Sequence, residues 1–265
     1  EKGNKFKTVL PGTAHRMLKE DPQGYLYISG VPEKKFLSTA FDQSLPNSDV
    51  SIASDNKYED FAFDTAGNIW QLNKSKSIVF RKDALTKKVK SYPCKGIALL
   101  FDRNGKLLIV NEKGLERFDC DKEMSDYFPF KKPQKQLSEN SHFMYEDHDG
   151  IVWIFGFEGL TRATPNQSGY EYKQYLNNPS DRNSLSINTV LSVADDPCEP
   201  NRYLWVGTKN GGLNCLDKHT GEFRQFNKGQ GLPDNVVYGI LTEDKGKPFI
   251  WLSTNKGLCR FDVRS

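Results

Sequence analysis

The stretch DTAGNIWQL, residues 64–72, sets an aspartate and a tryptophan six residues apart around a glycine turn. The chain has 265 residues and only four tryptophans. The same phrase returns along it. EDPQGYLYI puts Tyr27 six residues after Asp21, FDRNGKLLI puts Leu108 six after Asp102, and EDHDGIVWI puts Trp153 six after Asp147. EDKGKPFIWL reaches Trp251 seven residues after Asp244, and the longer DDPCEPNRYLWV reaches Trp205. The slots at 27, 70, 108, 153, 205 and 251 lie 43, 38, 45, 52 and 46 residues apart, and every tryptophan fills one. Repeats of this length belong to solenoids, propellers or arrays.

The fifth repeat parses most clearly. NTVLSVADD alternates apolar and small residues before an acidic turn, as a strand does. YLWVGT is a second, very apolar strand, and KNGG is a tight turn of residues that tolerate positive φ. GLNCLD is a third strand, KHTGE another turn, and FRQF a fourth strand. Four short antiparallel strands in about 45 residues make one propeller blade. The outer strand carries its own mark, an apolar residue, two polar residues and another apolar one. It stands at Val89–Tyr92, Met124–Tyr127, Tyr172–Tyr175 and Phe223–Phe226. In the first repeat KKFLSTAFD is the expected outer stretch, and the sixth repeat shows none. Phe6–Val9, FKTV, has no inner strands before it. Because an open sheet edge is a liability, residues 1–10 are expected to complete the last blade.

The expected fold is therefore all-β: a β-propeller with about six four-stranded blades, residues 1–265 forming one propeller or a fragment of a larger array. In each blade the aspartate is predicted to cap an Asx-turn with glycine in the left-handed position. The tryptophan is predicted to pack between neighbouring blades, where a large ring buries about 150–250 Å².

Composition narrows the function classes. Net charge is +3 and basic residues are interleaved with acids; LTKKVK and FKKPQKQ are short and read as solvated faces, so nucleic acid is not an expected partner. The longest apolar runs, IVWIFGF and IALLF, fall far short of a membrane span, so this segment is not expected to insert. The opening EKGNKFKTV reads as that of a mature or excised piece. Five cysteines, at 94, 120, 198, 215 and 259, form no C-x-x-C, and their odd number does not suit a full disulfide framework.

The sequence holds no G-x-S-x-G, H-E-x-x-H or phosphate loop. Its histidines, at 15, 142, 148 and 219, are scattered, and His148 and His219 fall in turns. DHDG, 147–150, resembles the start of a calcium loop but lacks the later ligands. Asp-x-x-Gly-x-x-Trp is similar to the sialidase Asp box, with glycine three residues after the aspartate rather than two and no preceding serine. No catalytic residue, metal or cofactor is expected.

Residues 203–244, YLWVGTKNGGLNCLDKHTGEFRQFNKGQGLPDNVVYGILTED, followed by IWLSTNKGLCRFD, resemble the two-component regulator propeller repeat. SLSIN at 184–188 and GLPDN at 231–235 fit its inter-blade connector. The likeness is close over 185–262, good over 143–175 and partial over 14–127. It implies the periplasmic sensor part of a hybrid two-component histidine kinase, held in the inner membrane by other segments and detecting glycan breakdown products. A small carbohydrate ligand and a homodimer through the full-length sensor are the partners expected. An interaction or dimerisation scaffold, and a glycan-processing enzyme, are the alternatives.

In a four-stranded blade the connectors and the loops joining strands two and three share one end, and the Asp-x-x-Gly turns lie at the other. The ligand is expected at the first end. The candidates are Asn188 and Asn235 from the connectors, with Glu112, Lys113, Phe157, Glu158, Lys209, Asn210, Asn255 and Lys256 from the loops. Amides and charges there suit sugar hydroxyls, and Phe157 offers an apolar stacking surface.

Overall fold

The computed structural model describes residues 60–130, 143–243 and 246–264 in full, and three further strands within 18–37 by backbone alone. It divides into two compact units, residues 1–95 and 96–265. Phe6–Val9, Asp21, Asp244, His15 and His142 lie outside the described residues, and with them the predicted completion of the last blade by residues 1–10.

The first unit holds two antiparallel sheets. One is built from β1 (Leu18–Glu20), β2 (Tyr25–Ile28) and β3 (Lys35–Leu37), the other from β4 (Asp60–Phe63), β5 (Ile69–Asn73), β6 (Ile78–Lys82) and β7 (Val89–Pro93), each in sequence order. Within KKFLSTAFD the described strand, Lys35–Leu37, pairs as the third of its sheet, and residues 38–42, with the expected outer strand, lie outside the described residues. The register of Lys35–Leu37 is set by pairing with Tyr25–Tyr27.

The second unit holds four such sheets. They are β8 (Ala98–Phe101), β9 (Leu107–Asn111), β10 (Gly114–Asp119) and β11 (Met124–Pro129); then β12 (Phe143–Glu146), β13 (Val152–Gly156), β14 (Gly159–Asn166) and β15 (Gly169–Tyr175). The next has β16 (Val190–Asp195), β17 (Tyr203–Thr208), β18 (Leu213–Asp217) and β19 (Phe223–Phe226), and the last β20 (Val237–Thr242), β21 (Phe249–Thr254) and β22 (Gly257–Asp262). First strands lie against the next sheet: β8 meets β12, β13 meets β16, and β16 and β17 meet β20. The outer strands β7 and β11 are mostly exposed, while β5, β13 and most of β17 are buried. Near-continuous apolar sequence in the second strand follows from burial on both faces. The fold is all-β and built of propeller-type blades, as the repeat predicts.

The repeat slot falls in the second strand of all six sheets and at the same place in each ladder. Its partner on strand one is Lys19, Ala62, Leu100, Tyr145, Ala194 and Leu241 in turn. Its partner on strand three is Lys35, Arg81, Arg117, Arg162, Cys215 and Arg260. A cation therefore stands opposite the slot in every sheet but the fifth. There Arg224 of the outer strand pairs with Cys215 and donates to its sulfur. Arg81 and Arg162 lie over the indoles of Trp70 and Trp153 at 5.7 and 5.9 Å. Such a stack shields the guanidinium stem and is attracted by the ring face.

Three tryptophans are core residues: Trp70 and Trp153 are fully buried, and Trp205 is 1% exposed. Trp153 shares a cluster with Val190, Val193 and Leu204 of the next sheet, and Trp205 one with Val237, Ile250 and Leu252. The last residue of the outer-strand mark packs on the indole of its own sheet, as Tyr92 on Trp70, Tyr175 on Trp153 and Phe226 on Trp205. Trp251 departs from the predicted packing role and is 37% exposed. Trp205 is covered by Phe261 of the sheet after it at 5.3 Å, whereas the Trp251 sheet is the last one described.

Candidate functional site

The two ends of the blades have different chemistry. At the acidic-turn end, one oxygen of each of the four described turn aspartates caps its own turn. Asp64 Oδ1 accepts from the backbone of Ala66 and Asn68, Asp102 from Asn104 and Lys106, Asp147 from Asp149 and Ile151, and Asp196 from Cys198 and Glu199. Gly67, Gly105 and Gly150 take φ of 79°, 72° and 79°, the left-handed region the turn needs. The second oxygen links the turn to the tryptophan, six residues on in two sheets and nine in the third. Asp64, Asp147 and Asp196 each accept the indole N–H of Trp70, Trp153 and Trp205 through Oδ2, at 3.0, 2.8 and 2.8 Å. One carboxylate thus shapes the turn and satisfies the only polar atom of a buried ring. In the last sheet Glu243 accepts the Trp251 N–H at 3.0 Å, together with Arg260 Nε at 2.8 Å.

Neighbouring sheets are tied together at this end. Arg103 Nε donates to Glu146 at 2.7 Å, and its terminal nitrogens reach the carbonyls of Asp147 and His148. Lys218, 1% exposed at its side chain, places Nζ 3.1 Å from Asp147 Oδ2, 2.9 Å from Asp149 Oδ2 and 3.9 Å from Asp195 Oδ1. The two acids of DHDG therefore hold a lysine ammonium. Tyr145 donates its hydroxyl to Asp195 Oδ2 at 3.0 Å, and the His148 backbone does so at 2.8 Å. Burial, reinforced by the Asp147 charge, holds the Asp195 carboxyl above the usual carboxylate range. The His148 and His219 side chains are exposed, as their turn positions predict. Among the described residues no three of His, Cys, Asp and Glu stand together as a metal site.

The other end carries the ten predicted residues. Glu112 and Lys113 are exposed in the β9–β10 turn, where Asn111 Oδ1 accepts from the backbone of Lys113 and Gly114. Phe157, 43% exposed, and the half-buried Glu158 form the β13–β14 turn. Burial raises the Glu158 carboxyl above its ordinary value. Lys209 and Asn210 are exposed between β17 and β18, and Asn210 takes φ 80°. Asn255 and Lys256 are exposed between β21 and β22.

The structure brings connectors and loops together pairwise. Gly159 N donates to Asn188 O at 2.7 Å, Gly212 N to Asn235 O at 2.9 Å, and Lys209 N to Thr189 O at 3.0 Å. Asn255 Nδ2 donates to Asp234 Oδ1 at 3.1 Å. The side-chain oxygens of Asn188 and Asn235 are turned to the connectors themselves, accepting from the backbone of Asn177 and Lys228. These two asparagines brace the face. Glu112, Lys113, Phe157, Lys209, Asn210, Asn255 and Lys256 are the predicted residues exposed on it.

Sequence reading missed Tyr238, 55% exposed on β20, whose hydroxyl donates to Asn255 Oδ1 at 2.7 Å. The available signal was the alignment of NVVYGI with NTVLSV, which sets an aromatic where the preceding repeat has Leu191. Lys218 carried no such signal, because its partner Asp147 is 71 residues away.

No sequence-family pattern matches the chain, and no curated protein resembles it in sequence. Its fold is similar to solved structures of low identity. PorZ, a surface component of the type-IX secretion system of Porphyromonas gingivalis, aligns at 17% identity over 94% of this chain and 38% of its own, with TM-score 0.64. The extracellular domain of BT4673 from B. thetaiotaomicron, assigned to a one component system, aligns at 19% identity over 96% of this chain and 33% of its own, also at 0.64. Virginiamycin B lyase of Staphylococcus aureus aligns at 12% identity over 95% and 85%, at 0.56. The chain thus spans about a third of the length of the first two. No helix among the described residues is long and apolar enough to cross a membrane.

Proposed function

We propose that this chain is an extracytoplasmic ligand-sensing propeller segment of a hybrid two-component signalling protein, and that it binds a glycan breakdown product at the connector end of its blades. The observation that carries this reading is the contrast between the two ends. At the acidic-turn end the charges are spent on one another: Arg103 on Glu146, and Lys218 on Asp147 and Asp149. At the connector end the exposed ring of Phe157 stands with exposed Lys209, Asn210, Asn255 and Lys256 on a braced backbone. An exposed apolar ring with donors and acceptors on the same end of the blades suits a sugar ring with its hydroxyls. The repeat sequence and the fold shared with an extracellular domain of B. thetaiotaomicron support a periplasmic setting. In this reading the segment itself performs no catalysis, and the kinase and membrane helix lie elsewhere in the full-length protein.

A thermal-shift screen of oligosaccharides tests the reading. A ligand that binds only the folded form stabilises it by about 2.7 kcal/mol at a hundredfold excess over Kd. Phe157→Ala should weaken that binding by roughly 1–2 kcal/mol if the ring stacks on the sugar. Binding untouched by Phe157→Ala and Lys209→Ala, yet lost when the acidic turns are altered, would reverse the choice of face. Turnover of the bound sugar would favour the enzyme reading instead. A second reading, an interaction scaffold or homodimer surface, is favoured by Leu241, Trp251 and Leu258, 69%, 37% and 54% exposed on the last sheet. Sedimentation of the chain with and without Leu241→Lys distinguishes the two.

A further inference from the structure

The first strands of the last two sheets each carry a bulge at the same place. In β16 the register with β17 slips between Val190 and Ser192, and in β20 that with β21 slips between Val237 and Gly239. The residues set out of register are Leu191 and Tyr238. A bulge bends the strand and re-aims one side chain or ends the pairing. Leu191 is half-buried, whereas Tyr238 exposes 55% of its surface although the preceding Val237 is fully buried.

The ring is not loose. Its hydroxyl donates to Asn255 Oδ1, Asn255 Nδ2 donates to Asp234 Oδ1, and Asp234 Oδ1 also accepts from the Val236 backbone at 2.9 Å. This chain fixes an exposed aromatic ring between a connector and a strand-two–strand-three loop. Both bonds that Asp234 accepts among the described residues go to Oδ1, which leaves Oδ2 as an acceptor. Asn255 keeps a second amide hydrogen. Holding an exposed ring in one place costs rotamer entropy before any ligand arrives, and that cost no longer weighs on binding.

We infer that Tyr238, Asn255 and Asp234 form a saccharide subsite, with one sugar ring stacked on Tyr238 and its hydroxyls held by Asp234 Oδ2 and the Asn255 amide. The subsite rests on the reading of the connector end as the ligand face and names a group on that face besides Phe157. A neutral, hydroxyl-rich pyranose is the class that fits. Its C–H face matches an aromatic ring, and adjacent hydroxyls match an acceptor beside a donor.

The test is saturation-transfer NMR and titration calorimetry on the 1–265 chain, with maltotriose, mannotriose, xylotriose and galactotriose as probes. A probe that binds the unaltered chain should lose about tenfold or more in affinity with Tyr238→Ala and with Asp234→Ala, and less than about threefold with Tyr238→Phe, which keeps the ring. An unchanged urea midpoint of Tyr238→Ala confirms that the fold is intact; if it is not, Asp234→Ala carries the test, and full affinity in that variant overturns the subsite. Full affinity in Tyr238→Ala, with binding lost in Phe157→Ala, overturns the subsite and leaves the face standing. Full affinity in all three of Tyr238→Ala, Phe157→Ala and Lys209→Ala overturns both. Failure of every probe to bind the unaltered chain overturns the neutral-saccharide assignment.

Discussion

Replacing Lys218 by Met removes the charge from the buried junction of two blades while keeping most of the side-chain volume. The ammonium lies 3.1 and 2.9 Å from Asp147 and Asp149, and the side chains of Lys218 and Asp147 are 1% and 0% exposed. At an effective dielectric near 20, each contact at about 3 Å is worth roughly 5 kcal/mol of gross attraction. Desolvation of a buried ammonium offsets most of that, and Asp149, 32% exposed, is partly screened by water. What remains decisive is the orphan: without Lys218 the Asp147 carboxylate stays buried with only its turn N–H groups and the Trp153 indole. Removing one partner of a buried pair costs about 3–5 kcal/mol. The backbone is unaffected, since Lys218 N and O bond to Arg202 and Arg162 irrespective of the side chain. Urea unfolding of the unaltered chain and Lys218→Met at pH 7 measures the loss. Arg117→Met is the control, because its pair with Asp126 is 40% and 67% exposed and worth at most about 1 kcal/mol. A Lys218→Met loss below about 1 kcal/mol, or equal to that of the control, would refute the argument.

Three other outcomes follow from the same contacts. Trp153→Phe removes the indole N–H from Asp147 and leaves a gap in a fully buried site; it should cost about 2–4 kcal/mol, against less than about 1 for Trp251→Phe at its exposed position, both read by urea unfolding. The Asp195 carboxyl has a folded pKa above its unfolded one, so its ionisation opposes folding: that effect is absent below the unfolded pKa and grows as pH rises to the folded value. Asp195→Asn should accordingly gain stability relative to the unaltered chain as pH rises from about 3 through the raised pKa, then run parallel to it; a pH-independent difference in melting temperature would contradict this. Gly212 takes φ 78°, and a Cβ there would stand 2.1 Å from the Phe226 carbonyl oxygen, so Gly212→Ala should lower stability by more than about 1 kcal/mol in the same unfolding assay.

The blades were legible in the order of residues. Turn chemistry and period-two alternation are local, so the acidic turns, the apolar second strands and the outer strands at Val89–Pro93, Met124–Pro129, Gly169–Tyr175 and Phe223–Phe226 could be read from neighbouring residues. That order also carried the six-residue interval between aspartate and tryptophan, but not its cause. A carboxylate has two oxygens, and only the folded turn shows one capping the backbone while the other takes the indole proton. The strand-three cation opposite that slot was present nine residues on as Arg117, Arg162 and Arg260, yet pairing across a ladder depends on register, which a single strand does not reveal. The candidate face divides the same way. Phe157 and Lys209 were legible as loop residues, whereas the bracing role of Asn188 and Asn235 appeared only with their backbone partners. Only the folded chain shows the burial of Lys218, the outward turn and hydrogen bond of Tyr238, and the exposure of Trp251. Each depends on a neighbour brought up by sheet packing or on a slip in strand register, and neither leaves a mark in the spacing of residues along the chain.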